Sequence, residues 1–254
     1  MYDGRVGRWM TTDPYSQYHS PYLAMGNDPI RMIDPDGGFA SSPLDDYELL
    51  KDGTINFLNK TDDDFDRLYN FDHSESIKIQ KYIIGKYTYS ELRNGLTYAR
   101  TMAISDIEHA KEVFFWLANH SEVEFGLSIF QDSKIKDGSD KFAYISTTQK
   151  TPTSNAAQPH FEGQFLARHK TWSLIETWHN HPNVELGYSY RGPSGFYPSG
   201  RRDNSDHSDR RYYETMFNVK AFKGRTPEYF NLYDAFNKIY YMYNNKDFFK
   251  SNVF

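Results

Sequence analysis

Trp172-Ser173-Leu174-Ile175-Glu176-Thr177-Trp178-His179-Asn180-His181-Pro182 is the stretch on which the reading of this chain turns. Side chains alternate along an extended strand, so Ser173, Ile175, Thr177, His179 and His181 fall on one side, with Trp172, Leu174, Glu176 and Trp178 on the other. Pro182 stops the strand, because it brings no N–H to a ladder. Two imidazoles at i and i+2 share a face, and a single tetrahedral ion can be bound by both. Strand histidines also occur as satisfied structural residues, and the spacing alone allows either role.

Working outward, Ser105 and Glu108 have capping-box spacing, and Ile107, Ala110, Val113, Phe114 and Leu117 form an apolar stripe. A helix is expected there, ending near Asn119 and His120. The pattern then changes to period two. Val123, Phe125, Leu127 and Ile129 alternate with Glu122, Glu124, Gly126 and Ser128, and a second strand from Phe142 to Ser146 follows across Lys136-Asp137-Gly138-Ser139-Asp140. Beyond Pro182, residues 183–204 are rich in Gly, Pro, Ser and Tyr and form a loop too long for an ordinary connection. Asp206 to Met216 reads as a short helix, and Phe217 to Phe222, Tyr229 to Tyr233 and Lys238 to Tyr243 read as aromatic-rich strands. Helix, hairpin, strand, helix and strands make residues 101–254 an α+β domain.

The N-terminal part is different. Residues 1–38 are a series of tight turns built on Asp13-Pro14, Asn27-Asp28-Pro29 and Asp36-Gly37, with too little core to fold alone. Residues 39–100 show weak periodicity and read as a linker followed by small irregular elements. Ten acidic residues stand between Ser41 and Glu75 against Lys51, Lys60 and Arg67, whereas Arg191, Arg201, Arg202, Arg210 and Arg211 gather later. That distribution fits a solvated acidic face, or an acidic segment lying on a basic rim.

Composition excludes several function classes. The net charge of −5 argues against a mainly electrostatic nucleic-acid binder. No apolar run reaches membrane-spanning length, and the first residues carry charges where a signal peptide needs an unbroken apolar core. With no cysteine, a metal must be held by His, Asp or Glu. The segment Ser205-Asp206-His207-Ser208-Asp209 offers Asp206, His207 and Asp209 as a third ligand. The same residues also suit an ordinary acidic helix start, with Ser205 or Asp206 as cap and Asp209 complementing the dipole.

Two resemblances follow from these motifs. Tyr2-Asp3-Gly4-Arg5-Val6-Gly7-Arg8-Trp9, running to Asp34-Pro35-Asp36-Gly37, resembles the end of the Rhs repeat-associated core of bacterial polymorphic toxins. The resemblance implies that the toxin follows about Gly38, with release just after Asp34-Pro35-Asp36-Gly37. It also implies a cognate immunity protein, export without a signal peptide and action in the cytoplasm of a competitor bacterium. The order of Glu124, His179-Asn180-His181-Pro182 and the Ser205 to Asp209 cluster resembles the JAB/MPN (JAMM) metallopeptidases. That family implies a cytidine-deaminase-like mixed sheet flanked by helices, and a Zn2+ ion held by His179, His181 and an Asp, with Asp209 preferred. Glu124, rather than Glu122, would be general base, and Ser205 or Ser208 would stabilise the tetrahedral intermediate. The substrate would be a peptide or isopeptide. Two departures stand out: His181 and Asp209 are 28 residues apart, and the family's Ser-x-x-Asp spacing is absent. A metal-dependent nuclease and a non-catalytic JAMM-like binding module remain as alternatives.

Overall fold

The computed structural model describes residues 2–3, 5, 8–12, 20, 22–24, 44–61, 65–79, 90–91, 98–104, 106–135, 141–147, 157–184, 192–193 and 209–251. Strands β1 (Tyr2–Asp3) and β2 (Arg8–Trp9) pair antiparallel. They are followed by β3 (Leu44–Leu49), β4 (Ile55–Thr61), β5 (Asp66–Asn70), β6 (Ser76–Ile79), β7 (Ser90–Glu91) and β8 (Tyr98–Ile104). The rest of the chain supplies α1 (Ile107–His120), β9 (Phe125–Asp132), β10 (Lys141–Thr147), α2 (Ala157–Arg168), β11 (Trp172–His181), α3 (Asp209–Asn218), β12 (Phe230–Asp234), β13 (Ile239–Tyr243) and β14 (Phe248–Ser251). An eight-stranded sheet runs β14-β13-β12-β11-β9-β10-β8-β7. Its β11–β12 pair is parallel and its other pairs are antiparallel. The fold is mixed α+β, as the periodicity implied.

Helix α1 forms where expected, but its cap differs. Asp106, not Ser105, stands at the N-cap, and its carboxylate accepts a hydrogen bond from the His109 backbone N–H. Asp is among the strongest N-cap residues and satisfies one orphan donor of the first turn. The Ser105–Glu108 capping box therefore does not set this helix start. At the other end Ser121 leaves the helix with its hydroxyl donating to the Leu117 carbonyl. The stripe of Ala110, Val113, Phe114 and Leu117 is fully buried against Phe125, Leu127 and Ile129 of β9 and Trp178 of β11. Burial of the three larger side chains contributes about 1.5–3 kcal/mol each.

The opposite face of the sheet holds a second core under α2 and α3. Phe130, Leu166, Leu174, Tyr213, Met216, Phe230, Leu232 and Tyr243 meet there. A bulge in β11 between Leu174 and Glu176 changes which face is which. One extra residue lets Leu174 and Thr177 point to the same side. Ile175, expected beside Thr177, packs instead against the α1 core. From Thr177 onward the alternation holds, so Thr177, His179 and His181 look toward α2 and α3.

Two other expectations are corrected. Residues 44–79 form a four-stranded sheet, ordered β4-β3-β5-β6, where irregular pieces were expected. Leu49, Leu68 and Ile79 of that sheet are buried in the α1 core, which is what holds it. Phe217 to Phe222 is not a strand: it closes α3 and continues into a 3-10 turn over Lys220–Phe222. Tyr213 and Met216, buried at helical spacing, set the period of that segment. The proposed release point at residues 34–37 lies outside the described residues.

Candidate metal centre

Two elements build the site. The end of strand β11 supplies His179 and His181, and the first residue of α3 supplies Asp209. Asp209 Oδ1 lies 3.0 Å from His179 Nε2, and Oδ2 lies 3.6 Å from His181 Nε2. One ligand atom from each of the three residues can be chosen so that all lie within 4.8 Å of one another. Bonds of 2.0–2.1 Å at a tetrahedral angle put neighbouring donor atoms about 3.3 Å apart, so the two observed separations bracket what an ion needs.

His179 Nε2 is buried and, despite its 3.0 Å approach to Asp209, makes no aligned hydrogen bond among the described residues. A buried polar atom left without one calls for a partner, and an ion held between His179, His181 and Asp209 would supply it. Asp209 has only 13% of its side chain exposed. Burial alone would resist its charge, but the facing imidazoles of His179 and His181 win, and its carboxyl is held well below the ordinary carboxylate range. An anionic carboxylate beside two imidazoles is a hard, nitrogen–oxygen donor set of the kind zinc takes. The residues present fit the ion.

Glu124 sits just before β9 and is 8% exposed. The β9–β11 ladder ends on the pair Gly126–His179, two residues from Glu124 on one strand and two from His181 on the other. Asn180, fully buried between the two histidines, fastens this corner: its Oδ1 accepts from the Phe125 N–H at 2.7 Å and its Nδ2 donates to the Val123 carbonyl at 3.2 Å. The Thr147 hydroxyl adds a 2.7 Å bond to the carbonyl of Glu124 itself. Glu122 goes elsewhere, pairing with Lys51 at 3.0 Å with 43% of its side chain exposed. Ser205, Asp206, His207 and Ser208 lie outside the described residues.

A polar cluster that sequence reading did not find joins the elements that carry the candidate ligands. Glu162 of α2 is completely buried, and its Oε1 accepts from Ser128 at 2.6 Å and from Thr177 at 2.8 Å. Its Oε2 accepts from the Tyr212 hydroxyl. Gln158, one turn earlier, donates to Thr177 Oγ1 and to the Trp178 carbonyl, each at 2.8 Å. Thr177 is two residues before His179 and Tyr212 is three after Asp209. Glu162 thus ties the strand that carries the histidines to the helix that carries the carboxylate. The helix containing it gave little signal, because Pro159 and Gly163 interrupt a short apolar stripe of Phe161, Phe165 and Leu166. Arg225 braces the same helix from its other end, donating to the Leu166, His169 and Trp172 carbonyls. The first two belong to the helix end, where carbonyls lack partners.

Comparison with known proteins bears on this arrangement. A stretch of 40 residues is 50% identical to Salivary gland surface protein 1 of Aedes aegypti; it covers 16% of this chain, and the chain spans 1% of the length of that protein. No solved structure matches the chain. Residues 102–212 match the profile of a family described as JAB-like toxin 1, a span that runs from β8 into α3 and contains Glu124, Glu162, His179, His181 and Asp209. The chain carries a JAB-like toxin 1 domain over residues 102–212.

Proposed function

We propose that this domain is a zinc-dependent amide hydrolase, a JAMM-type peptidase or isopeptidase that acts as a toxin. The observation that carries the reading is the convergence of His179, His181 and Asp209, with the buried Nε2 of His179 lacking an aligned hydrogen bond among the described residues. Those three residues would hold the ion. Bound zinc would supply Lewis-acid polarisation of the scissile carbonyl and a lowered pKa for an attacking water. The Glu124 carboxylate takes a proton from that water as its oxygen bonds to the carbonyl carbon. The same proton passes to the amide nitrogen as the carbon–nitrogen bond breaks, leaving a carboxylic acid and an amine. A hydroxyl from Ser205 or Ser208 is assigned to the oxygen of the tetrahedral intermediate. His179 and His181 both turn to one carboxylate, and this shared role favours a metal ligand pair over the division of labour that a nuclease would need.

The same reading extends to the rest of the chain as a proposal. Residues 1–38 are the end of an Rhs core, the domain is released after about residue 38 and reaches a competitor bacterium, and a cognate immunity protein guards the producer. Among the described residues no helix is long and apolar enough to cross a membrane.

The test is reconstitution of the metal-stripped protein with zinc. About one ion per chain is expected, lost in His181→Ala and Asp209→Ala. Glu124→Gln should keep the ion yet lose toxicity on expression in a bacterium by on the order of a hundredfold or more. A wild-type protein that takes up no zinc refutes the reading. Inactivation by Glu122→Gln and not by Glu124→Gln moves the base to the other carboxylate.

A further inference from the structure

Tyr243, at the end of β13, is the largest fully buried side chain among the described residues, and its hydroxyl has no hydrogen-bond partner among them. A phenol is rarely buried that way, since the desolvated O–H usually finds an acceptor. Its surroundings point to the reason. The Tyr243 ring stands edge-on to the His179 ring, with centroids 6.0 Å apart. Phe230, which packs against Tyr212 and Tyr213 of α3, also packs on Tyr243. His179 Nε2, which faces Asp209 without an aligned hydrogen bond, and Tyr243 Oη, which has no hydrogen-bond partner among the described residues, therefore belong to neighbouring rings.

We infer that Tyr243 is a positioning residue of the metal centre, its hydroxyl donating to the Asp209 carboxylate when the ion is bound. This rests on the zinc reading of the site. The two oxygens of Asp209 face the two imidazoles. An ion that engages both imidazole nitrogens and one of these oxygens leaves the second oxygen without its imidazole, and a ligating carboxylate is ordinarily held by such an outer donor. Burial and the negative charges of Asp209, Glu162 and Glu124 keep the phenol proton in place well beyond its ordinary range. Tyr243 also lies outside residues 102–212, so the complete centre draws on a strand beyond the family match.

Tyr243→Phe separates this role from simple packing. The substitution removes one unpaired hydroxyl and leaves the ring, so the metal-free variant should melt at or above the wild-type temperature. Its zinc affinity, measured by competition with a chromophoric chelator, should fall about 10- to 100-fold. Affinity within twofold of wild type overturns the inference while leaving the zinc site standing, provided that wild type binds zinc and His179→Ala does not. A parallel drop in metal-free melting temperature and affinity also overturns it, because packing alone then accounts for the loss. If wild type binds no zinc, the reading of the site and this inference fall together.

Discussion

Replacing Glu162 by Ala tests whether the buried cluster under the metal centre sets the distance between β11 and α3. Three hydroxyls, from Ser128, Thr177 and Tyr212, lose their common acceptor. Thr177 and Tyr212 stand 3.1 Å apart and can bond each other, and Thr177 keeps its 2.8 Å bond from Gln158. Ser128 and one hydrogen of that pair are then left unsatisfied, at about 1–3 kcal/mol each. The vacated volume costs more, while removal of a buried carboxyl group gives part of it back. We expect a net loss of about 3 kcal/mol. At 2–4 °C per kcal/mol for a domain of this size, melting falls by roughly 6–12 °C. Glu162→Gln should recover most of this, because the amide oxygen can accept from Ser128 and Thr177 while the amide nitrogen donates to the Tyr212 oxygen. The assay is thermal unfolding of the metal-free proteins by circular dichroism, followed by zinc titration, where Ala should bind more weakly than Gln. A Glu162→Ala protein that melts within about 2 °C of wild type, or a Gln variant no better than Ala, refutes the tie.

Two further outcomes follow from the same geometry. Burial raises the Glu162 carboxyl above its ordinary value of 4.5, against the opposing hydrogen bonds of Ser128, Tyr212, Thr177 and Gln158. The folded protein therefore keeps a proton that the unfolded chain releases, and the resulting stability is present in acid and lost as pH rises through the folded value. The stability of wild type minus that of Glu162→Gln, from urea unfolding, should decline upward from about pH 4.5; a flat difference between pH 4 and 8 contradicts the raised value. Asn180→Ala leaves the Phe125 N–H and the Val123 carbonyl without their bonds. A loss of about 2–4 kcal/mol is expected, together with a fall in activity larger than any fall in zinc affinity, since Glu124 lies between those two residues; unchanged urea stability would show that the corner holds without Asn180.

What the sequence disclosed, and what it hid, divides by range along the chain. Strand β11 and helix α1 were legible because their apolar residues recur at a local period, and the histidine pair followed from that period. The bulge before Glu176 has no such mark: Leu174 and Ile175 are both apolar, and only the pairing of Leu174 with Phe130 and of Glu176 with Ile129 leaves Ile175 as the extra residue. The four-stranded sheet was hidden because its strands are short and place few apolar residues inward, with polar Asp66 and Asn70 sharing the buried face of β5 with Leu68. Phe217 to Phe222 misled because aromatic content suggests a strand, whereas the helical spacing of Tyr213 and Met216 continues through Phe217 and Asn218. Glu162 was out of reach altogether. Its partners Ser128, Thr177 and Tyr212 stand 34, 15 and 50 residues away, so nothing near it in sequence records why a glutamate is buried there.

Assembly of the centre from a strand and a helix also governs when it can exist. In an extended chain His181 and Asp209 are joined by 28 residues of polymer, and bringing the ends of such a segment together costs about 3 kcal/mol of configurational entropy. The unfolded chain is thus a weak two-histidine chelator. On the zinc reading, high affinity would arise only once α3 lies on the sheet, so zinc capture would report completion of the fold, and a protein threaded or held open by another molecule would be chemically silent.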